Sequence, residues 1–264
     1  DNTGIFVMNM NLAIDIGNSF VHLGIFRGSK LILHTAVNNK DVSAVKTSLD
    51  NYLNKYAPER IGIASVNPRA ERSILKILPK NLRNDALTIN NKSKLPVKIK
   101  VKNSGTLGAD RICNAVYGFV KSAGSSSLII DLGTANTYDL VLRDGSFIGG
   151  VIAPGLMTSA LAFSLNTAKL PFVSGLGVNK RIPLIGTNTE DAISSGLFYC
   201  MLFASEGIVT AVKKQYDSKI QVFLTGGSAT LIAKMVNFKC KVVQNTVLDG
   251  INMIINHNKH ENNH

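Results

Sequence analysis

One short pattern occurs twice in this chain and restricts its fold more than any other feature. The apolar run Ala13-Ile14 delivers Asp15, and Ile16-Gly17-Asn18-Ser19 turns the chain. A β-like run over residues 21–26 follows, then Arg27-Gly28-Ser29-Lys30 and the apolar Leu31-Ile32-Leu33. In the second half Leu128-Ile129-Ile130 delivers Asp131 in the same way. Leu132-Gly133-Thr134-Ala135 turns the chain, residues 138–142 run on, and Arg143-Asp144-Gly145-Ser146 reverses it again. Strand, Asp-x-Gly-polar turn, strand, glycine turn, strand is the signature of consecutive antiparallel hairpins. Short turns of small residues let a backbone come close to a phosphate. Either turn by itself reads equally well as a plain hairpin; two copies on matched three-strand units imply a duplicated architecture.

The rest of the chain fits that frame. Residues 10–15, 21–26 and 31–36 read as three antiparallel strands. Val42, Val45, Leu49 and Leu53 recur at helical spacing, so a helix is expected over 41–55 with Asp41 as its N-cap. A short strand is expected at 60–66, a helix at 69–78 stopped near Pro79, and a strand at 86–89. This βββαβαβ order is the pattern of a ribonuclease-H-like domain. A basic connector, 92–106, leads to a helix ending near Lys121, and Ala123-Gly124-Ser125-Ser126-Ser127 reads as a hinge. The expected domains are therefore 10–123 and 124–256. In the second, a helix follows Pro154-Gly155 and residues 166–185 form a loop. A long helix, apolar almost all round, runs from a cap at 186–191 to about 214 and is expected to be buried, against a second subunit among other surfaces. Residues 220–224 and 241–243 read as strands. The first ends at a third glycine turn, Thr225-Gly226-Gly227-Ser228, ahead of a helix, and a last helix spans 248–255. Residues 1–9 and 257–264 are expected to be flexible tails.

At 264 residues, 45% hydrophobic, the chain has material for two cores. Its net charge of +12 suits either nucleic acid or an anionic small ligand. No helix-turn-helix or aromatic RNA-binding pattern is evident and Trp is absent, so nucleic acid is not expected as the main partner. The longest apolar run, 196–204, is about half a membrane span, and residues 1–9 lack signal-peptide features, so a cytoplasmic protein is expected. Cys113, Cys200 and Cys240 have no metal-ligand spacing and suit a reduced compartment.

Two Asp-Gly turns and a glycine-rich strand-to-helix junction together resemble the actin, Hsp70 and sugar-kinase superfamily, in which two ribonuclease-H-like domains close a cleft on ATP. A closer resemblance lies in five ordered motifs: Asp15-Ile16-Gly17-Asn18-Ser19, Gly108-Ala109-Asp110-Arg111, Asp131-Leu132-Gly133-Thr134-Ala135-Asn136-Thr137, Gly149-Gly150-Val151-Ile152-Ala153-Pro154-Gly155, and Asn188-Thr189-Glu190-Asp191-Ala192-Ile193 with Gly196. These resemble the motifs of type III pantothenate kinases.

The resemblance implies ATP-dependent phosphorylation of pantothenate to 4′-phosphopantothenate by a homodimer using Mg²⁺ and K⁺ or NH₄⁺. Asp15, Ile16, Gly17, Asn18, Ser19, Phe20, Val21 and His22 would form the first phosphate-binding turn, with Asp15 acting through Mg²⁺. Thr134 would contact ATP, and Asp131 would hold the monovalent cation. Gly108, Ala109, Asp110 and Arg111 would hold pantothenate, with Asp110 as general base and Arg111 on a carboxylate or phosphate. Thr189 would contact pantothenate.

Read from residue type alone, Asp110 serves equally as a helix-capping carboxylate, Thr189 as an N-cap, Asp131 as a second Mg²⁺ ligand and Arg111 as a surface ion pair. His22 reads as an ordinary strand residue, His34 as a surface or packing residue, and His257, His260 and His264 as tail residues. The chain departs from the family where Val101 and Ser104 replace a Tyr-x-x-Pro pair. That departure leaves open a kinase for another small hydroxylated metabolite; a non-catalytic transcriptional accessory factor is the other rival.

Overall fold

The computed structural model describes residues 10–175 and 182–259. Three antiparallel strands open it: β1 (Met10–Ile16), β2 (Phe20–Arg27) and β3 (Lys30–Asn38). β1 and β2 run in register from Met10↔Arg27 to Ile16↔Val21. Helix α1 (Val42–Tyr56) is capped by Asp41, whose carboxylate accepts the Ala44 N–H at 2.9 Å. Its buried residues, Val45, Leu49 and Tyr52, keep the three-to-four spacing. β4 (Arg60–Ser65) returns parallel to β1. Asn67 caps α2 (Pro68–Ile77), and Pro68 sits where a missing N–H costs nothing. A short helix, α3 (Lys80–Asn84), follows Pro79, where no element was expected. β5 (Leu87–Thr88) pairs parallel with β4. β6 (Lys98–Ile99) and a 3₁₀ turn over Ser104–Thr106 lead into α4 (Ala109–Lys121). The first sheet has the order β3-β2-β1-β4-β5. Leu12, Ile14, Ile16, Leu23 and Ile63 bury one of its faces with Val45 and Leu49 of α1.

The second half repeats this plan with β7 (Ser127–Leu132), β8 (Ala135–Val141), β9 (Ser146–Pro154) and α5 (Leu156–Asn166). Then come α6 (Thr189–Gln215), β10 (Gln221–Thr225), α7 (Ala229–Ile232) and β11 (Lys241–Val242). The strands lie in the order β11-β10-β7-β8-β9. β7 pairs antiparallel with β8 and parallel with β10. Ile130, Leu132 and Tyr138 pack with Leu197, Phe198 and Met201 of α6. The expected loop at 166–185 has neither helix nor strand at 167–175 and 182–185; its middle lies outside the described residues.

α6 is, among the described residues, the one helix long and apolar enough to cross a bilayer by length and composition. The helix runs past the end of the apolar run at residue 204 to Gln215, close to the expected 214, and Ser205 within it is fully buried. Its hydroxyl donates to the Met201 carbonyl at 2.8 Å and bonds the Tyr138 hydroxyl at 3.1 Å. A hydroxyl that finds partners inside a helix does not end it.

The chain divides into two compact units, one running to Val120 and resuming at Asn245, the other covering Lys121–Gln244. The expected second domain ended at residue 256, whereas the last helix, α8 (Thr246–Lys259), belongs to the first unit and packs on β1 and β4. Buried amides hold it there. Asn11 Nδ2 donates to Asn252 Oδ1 at 2.8 Å and to Asn256 Oδ1 at 3.1 Å, and Asn252 donates to the Gly28 carbonyl at 2.9 Å. The Thr246 hydroxyl bonds Asn114 at 2.7 Å. Leu248, Ile251 and Ile255 form its apolar stripe. The expected C-terminal tail is accordingly helical through His257 to Lys259; residues 1–9 and 260–264 lie outside the described residues.

Candidate active site

The first turn closes between Ile16 and Val21, which pair across β1 and β2. The Gly17 N–H bonds the Phe20 carbonyl at 2.9 Å. Asn39, beyond β3, braces the outside of the turn. Its side-chain amide donates to the carbonyls of Gly17 (3.0 Å) and Asn18 (2.6 Å), and its own N–H donates to the Ser19 carbonyl at 3.0 Å. Asn18, Ser19 and Phe20 are exposed, and Gly17 and Asp15 half-buried. Ile16 and Val21 are fully buried, so their side chains belong to the core and not to a ligand surface. His22 turns its ring toward His34. Asn39 escaped the sequence reading because nothing in the spacing between residues 17 and 39 announces that they meet.

The start of α4 brings the second expected cluster together. The Gly108 carbonyl accepts the Ile112 N–H at 3.2 Å, and Ala109 is buried. Asp110 Oδ1 accepts the Arg111 N–H at 2.7 Å and lies against Gly108, where a Cβ would collide with it. Burial pushes the Asp110 carboxyl above the usual carboxylate range, opposed by the Arg111 N–H and guanidinium. Cys113, one turn along, is fully buried. Its thiol is driven well up, first by burial and then by the charges of Asp15 and Asp110. The Val66 N–H bonds the Ile16 carbonyl at 3.1 Å, and a Cβ on Gly108 would stand 3.3 Å from Val66 Cγ1, so the end of β1 and the start of α4 are neighbours within the first unit. Ser104, at the family's proline position, opens the 3₁₀ turn before α4 and receives a bond from Asn91 at 3.1 Å.

In the second unit the turn after β7 is one residue shorter, Leu132 pairing with Asn136. The Gly133 N–H bonds the Ala135 carbonyl at 3.3 Å. The Thr134 carbonyl accepts the Gly155 N–H at 3.1 Å and the Thr158 hydroxyl at 2.6 Å, and the Leu132 carbonyl accepts the Ser228 N–H at 3.0 Å. Thr134 itself is exposed and Asp131 half-buried. Gly226 has φ +90, and a Cβ there would stand 2.5 Å from Asp131 Oδ1 and 2.6 Å from the Leu132 nitrogen. Gly155 is equally restricted, because a Cβ would strike the Gly133 carbonyl. The glycine junction seen in the sequence is thus the wall against which Asp131 sits. Thr189 is exposed and lines a concavity of about 510 Å³ with Phe163, Leu170, Gly186, Ile193 and Gly196. The N-cap of α6 is Asn188, which accepts the Asp191 N–H at 2.9 Å, so Thr189 is the first helical residue and not the cap.

Asp15 and Asp131 are oxygen donors at exposed turns, the donor type that hard cations take. Among the described residues no three His, Cys, Asp or Glu side chains gather into one metal site.

The family model for type III pantothenate kinases matches residues 11–211. A type III pantothenate kinase of Sulfurihydrogenibium sp. (strain YO3AOP1) is 32% identical over 250 residues, covering 92% of this chain and 98% of that protein. Among solved structures, a Campylobacter jejuni protein described as a Baf family transcriptional activator superposes with TM-score 0.58 at 20% identity, covering 94% of this chain and 99% of its own. The inorganic polyphosphate/ATP-glucomannokinase of Arthrobacter sp. strain KM superposes with TM-score 0.51 at 14% identity, covering 95% and 99%. At those identities the structural likenesses establish the fold, two ribonuclease-H-like units of the actin and sugar-kinase type.

Proposed function

The chain belongs to the type III pantothenate kinase family, whose reaction is ATP-dependent phosphorylation of pantothenate at the head of coenzyme A biosynthesis, and we propose that the transfer is run from the start of α4. The observation that carries this reading is Val66, whose N–H bonds the Ile16 carbonyl beside Asp15 at 3.1 Å and whose side chain lies against Gly108 at the start of α4. It sets a phosphate-type turn beside a carboxylate whose pKa burial has raised.

The acceptor is a primary hydroxyl attacking a γ-phosphoryl group. Such a transfer needs in-line positioning, charge neutralisation and a destination for the hydroxyl proton. Asp110 accepts that proton. A carboxylate with a raised pKa is the stronger base. Arg111, next in the helix, grips the substrate carboxylate with the paired donors that a lysine lacks. Gly108 and Ala109 let the substrate approach the helix start. The main chain of residues 16–22 cradles the ATP phosphates. Asp15 would hold a Mg²⁺ that neutralises them, and Thr134 contacts the nucleotide from the second turn. Asp131 holds K⁺ or NH₄⁺, and Thr189 contacts pantothenate.

The enzyme works in the cytoplasm as a homodimer, without a membrane or nucleic-acid partner. The dimer reading is supported by exposed apolar side chains on and beside α5 and α6: Leu161, Leu165, Ile185 and Phe203.

The test is ADP release by the purified protein with Mg-ATP and pantothenate, in K⁺ and again in Na⁺ alone. Turnover that requires both pantothenate and K⁺ is expected, and Asp131→Ala should flatten the K⁺ titration. An unchanged K⁺ titration in that variant removes Asp131 from cation binding. A folded protein that turns over only other hydroxy acids or polyols would assign the changes at Val101 and Ser104 to a different acceptor.

A further inference from the structure

Five histidines occur in the sequence, and two of them meet. His22 on β2 faces Ala36, and His34 on β3 faces Gly24, so the two are diagonal neighbours on one face of the first sheet. The same face carries Asp15, the cross-strand partner of His22. His22 Nδ1 lies 3.1 Å from His34 Nε2. The ring planes are within 10° of parallel, yet the centroids are 5.4 Å apart. A contact that short with centroids that distant means the rings meet edge to edge, nitrogen to nitrogen. Phe20 flanks His22 with its centroid at 6.3 Å.

We propose that His22 and His34 form a two-imidazole binding site for a borderline transition-metal cation of the Zn²⁺, Ni²⁺ or Cu²⁺ class. Metal–imidazole bonds of about 2.0–2.1 Å reach both nitrogens once the rings tilt to aim their lone pairs at one ion, and the proton now between the rings moves to the donor ring's other nitrogen. Imidazole suits these ions, whereas Mg²⁺ takes oxygen, so the Mg²⁺ of the phosphoryl transfer does not compete for the pair. The ligating form is the neutral ring. Burial lowers the pKa of both histidines, and His34 lowers that of His22 further, the direction that favours the neutral ring. His34 is exposed and gives the ion an entry path, while paired strands keep the two residues side by side. With only two protein ligands, water completes the coordination and the affinity is modest. No step of the phosphoryl transfer uses His34.

The experiment uses the 264-residue chain carrying His257→Asn, His260→Asn and His264→Asn, which removes the other imidazoles. NiCl₂ is titrated calorimetrically, and CuCl₂ is followed by electron paramagnetic resonance, both without nucleotide. One ion per chain is expected, with nitrogen hyperfine coupling from two imidazoles. His34→Ala should weaken binding about tenfold or more and leave coupling from one nitrogen. Unchanged circular dichroism and kinase turnover in His34→Ala would certify the fold. Absence of saturable binding, or affinity and coupling that survive His34→Ala, would overturn the proposal and leave the pair as a hydrogen-bonded pin for the edge strand β3.

Discussion

The two Asp-x-Gly turns are the same motif held by different means. The turn after β1 spans four residues between its paired strands and is braced by one side chain, Asn39, whose amide holds two of its carbonyls. The turn after β7 spans three and is braced by close backbone approach, with Gly155 pressed on Gly133 and Gly226 pressed on Asp131. The strand that leads into the first turn also neighbours the start of α4, which carries Asp110, through Val66. Duplication preserved the strand-turn-strand path, but each copy found its own support. The first turn is held by the side chain of Asn39, and the second by close backbone approach together with the Thr158 hydroxyl. On the proposed reading the first unit supplies the proton-accepting group and the second the monovalent-cation ligand.

The largest effect that would sharpen the comparison belongs to Asp110→Asn. Loss of a general base should lower kcat by about 10²–10⁴-fold with nucleotide binding intact, measured by steady-state kinetics beside nucleotide titration. Near-normal turnover would remove the distinction between the units. The wild-type kcat/KM should fall on the acid side with an apparent pKa above the ordinary carboxylate range, because burial raises that of Asp110. The same shift has a stability consequence. A carboxyl whose folded pKa exceeds its unfolded value binds its proton more tightly when folded. Its favourable contribution is complete below the unfolded pKa and is lost as pH rises through the folded pKa. Asp110→Asn should therefore melt above wild type at neutral pH, with the gap closing in acid. A constant gap would mean the carboxyl is not strained by burial.

Next in size is Gly226→Ala. A left-handed φ alone costs about 1–3 kcal/mol for a residue with a side chain, and here the new methyl also meets Asp131 and Leu132. Urea unfolding should show the loss, together with a damaged K⁺ response. Full stability in this variant would show that the second turn is not braced by close approach. The smallest effect is Asn39→Ala. It removes two hydrogen bonds of about 0.5–1.5 kcal/mol each. The KM for ATP should rise while the K⁺ titration is unchanged. A shifted K⁺ titration would erase the separation between the two turns.

Periodicity carried the fold a long way because strands and helices are decided by neighbours in the chain. The β-β-β openings, α1 with its Asp41 cap, and the duplicated turns are local features, and their residue patterns are visible at two- and three-to-four-residue spacing. The long helix was legible past the end of its apolar run, and α6 continues through Ser205 to Gln215. The tail was expected from residue 257, but α8 carries His257 on to Lys259, held through Asn252 and Asn256 by the distant Asn11. Pro79 read as a stop and α2 ends before it, while the short helix after it was not expected. At α6 the cap is Asn188 and not Thr189, a one-residue difference that only the side-chain bond to Asp191 reveals.

The candidate site divides along the same line. The chemistry-bearing residue types were legible because the turn motifs and the start of α4 are each contiguous. Asp15, Asp110, Asp131 and Thr134 all lie in stretches a few residues long. Their supports were not legible, because each comes from a remote segment: Asn39 for the first turn, Thr158 and Gly226 for the second, and α8 for the sheet that presents Asp15. Local order in the chain determined which groups the protein owns, down to the turn that carries each one. Tertiary structure alone decided what those groups experience. The burial that raises the Asp110 pKa and the amide that clamps Gly17 are set by atoms far away in sequence, and an interaction between distant residues leaves no periodic trace in either.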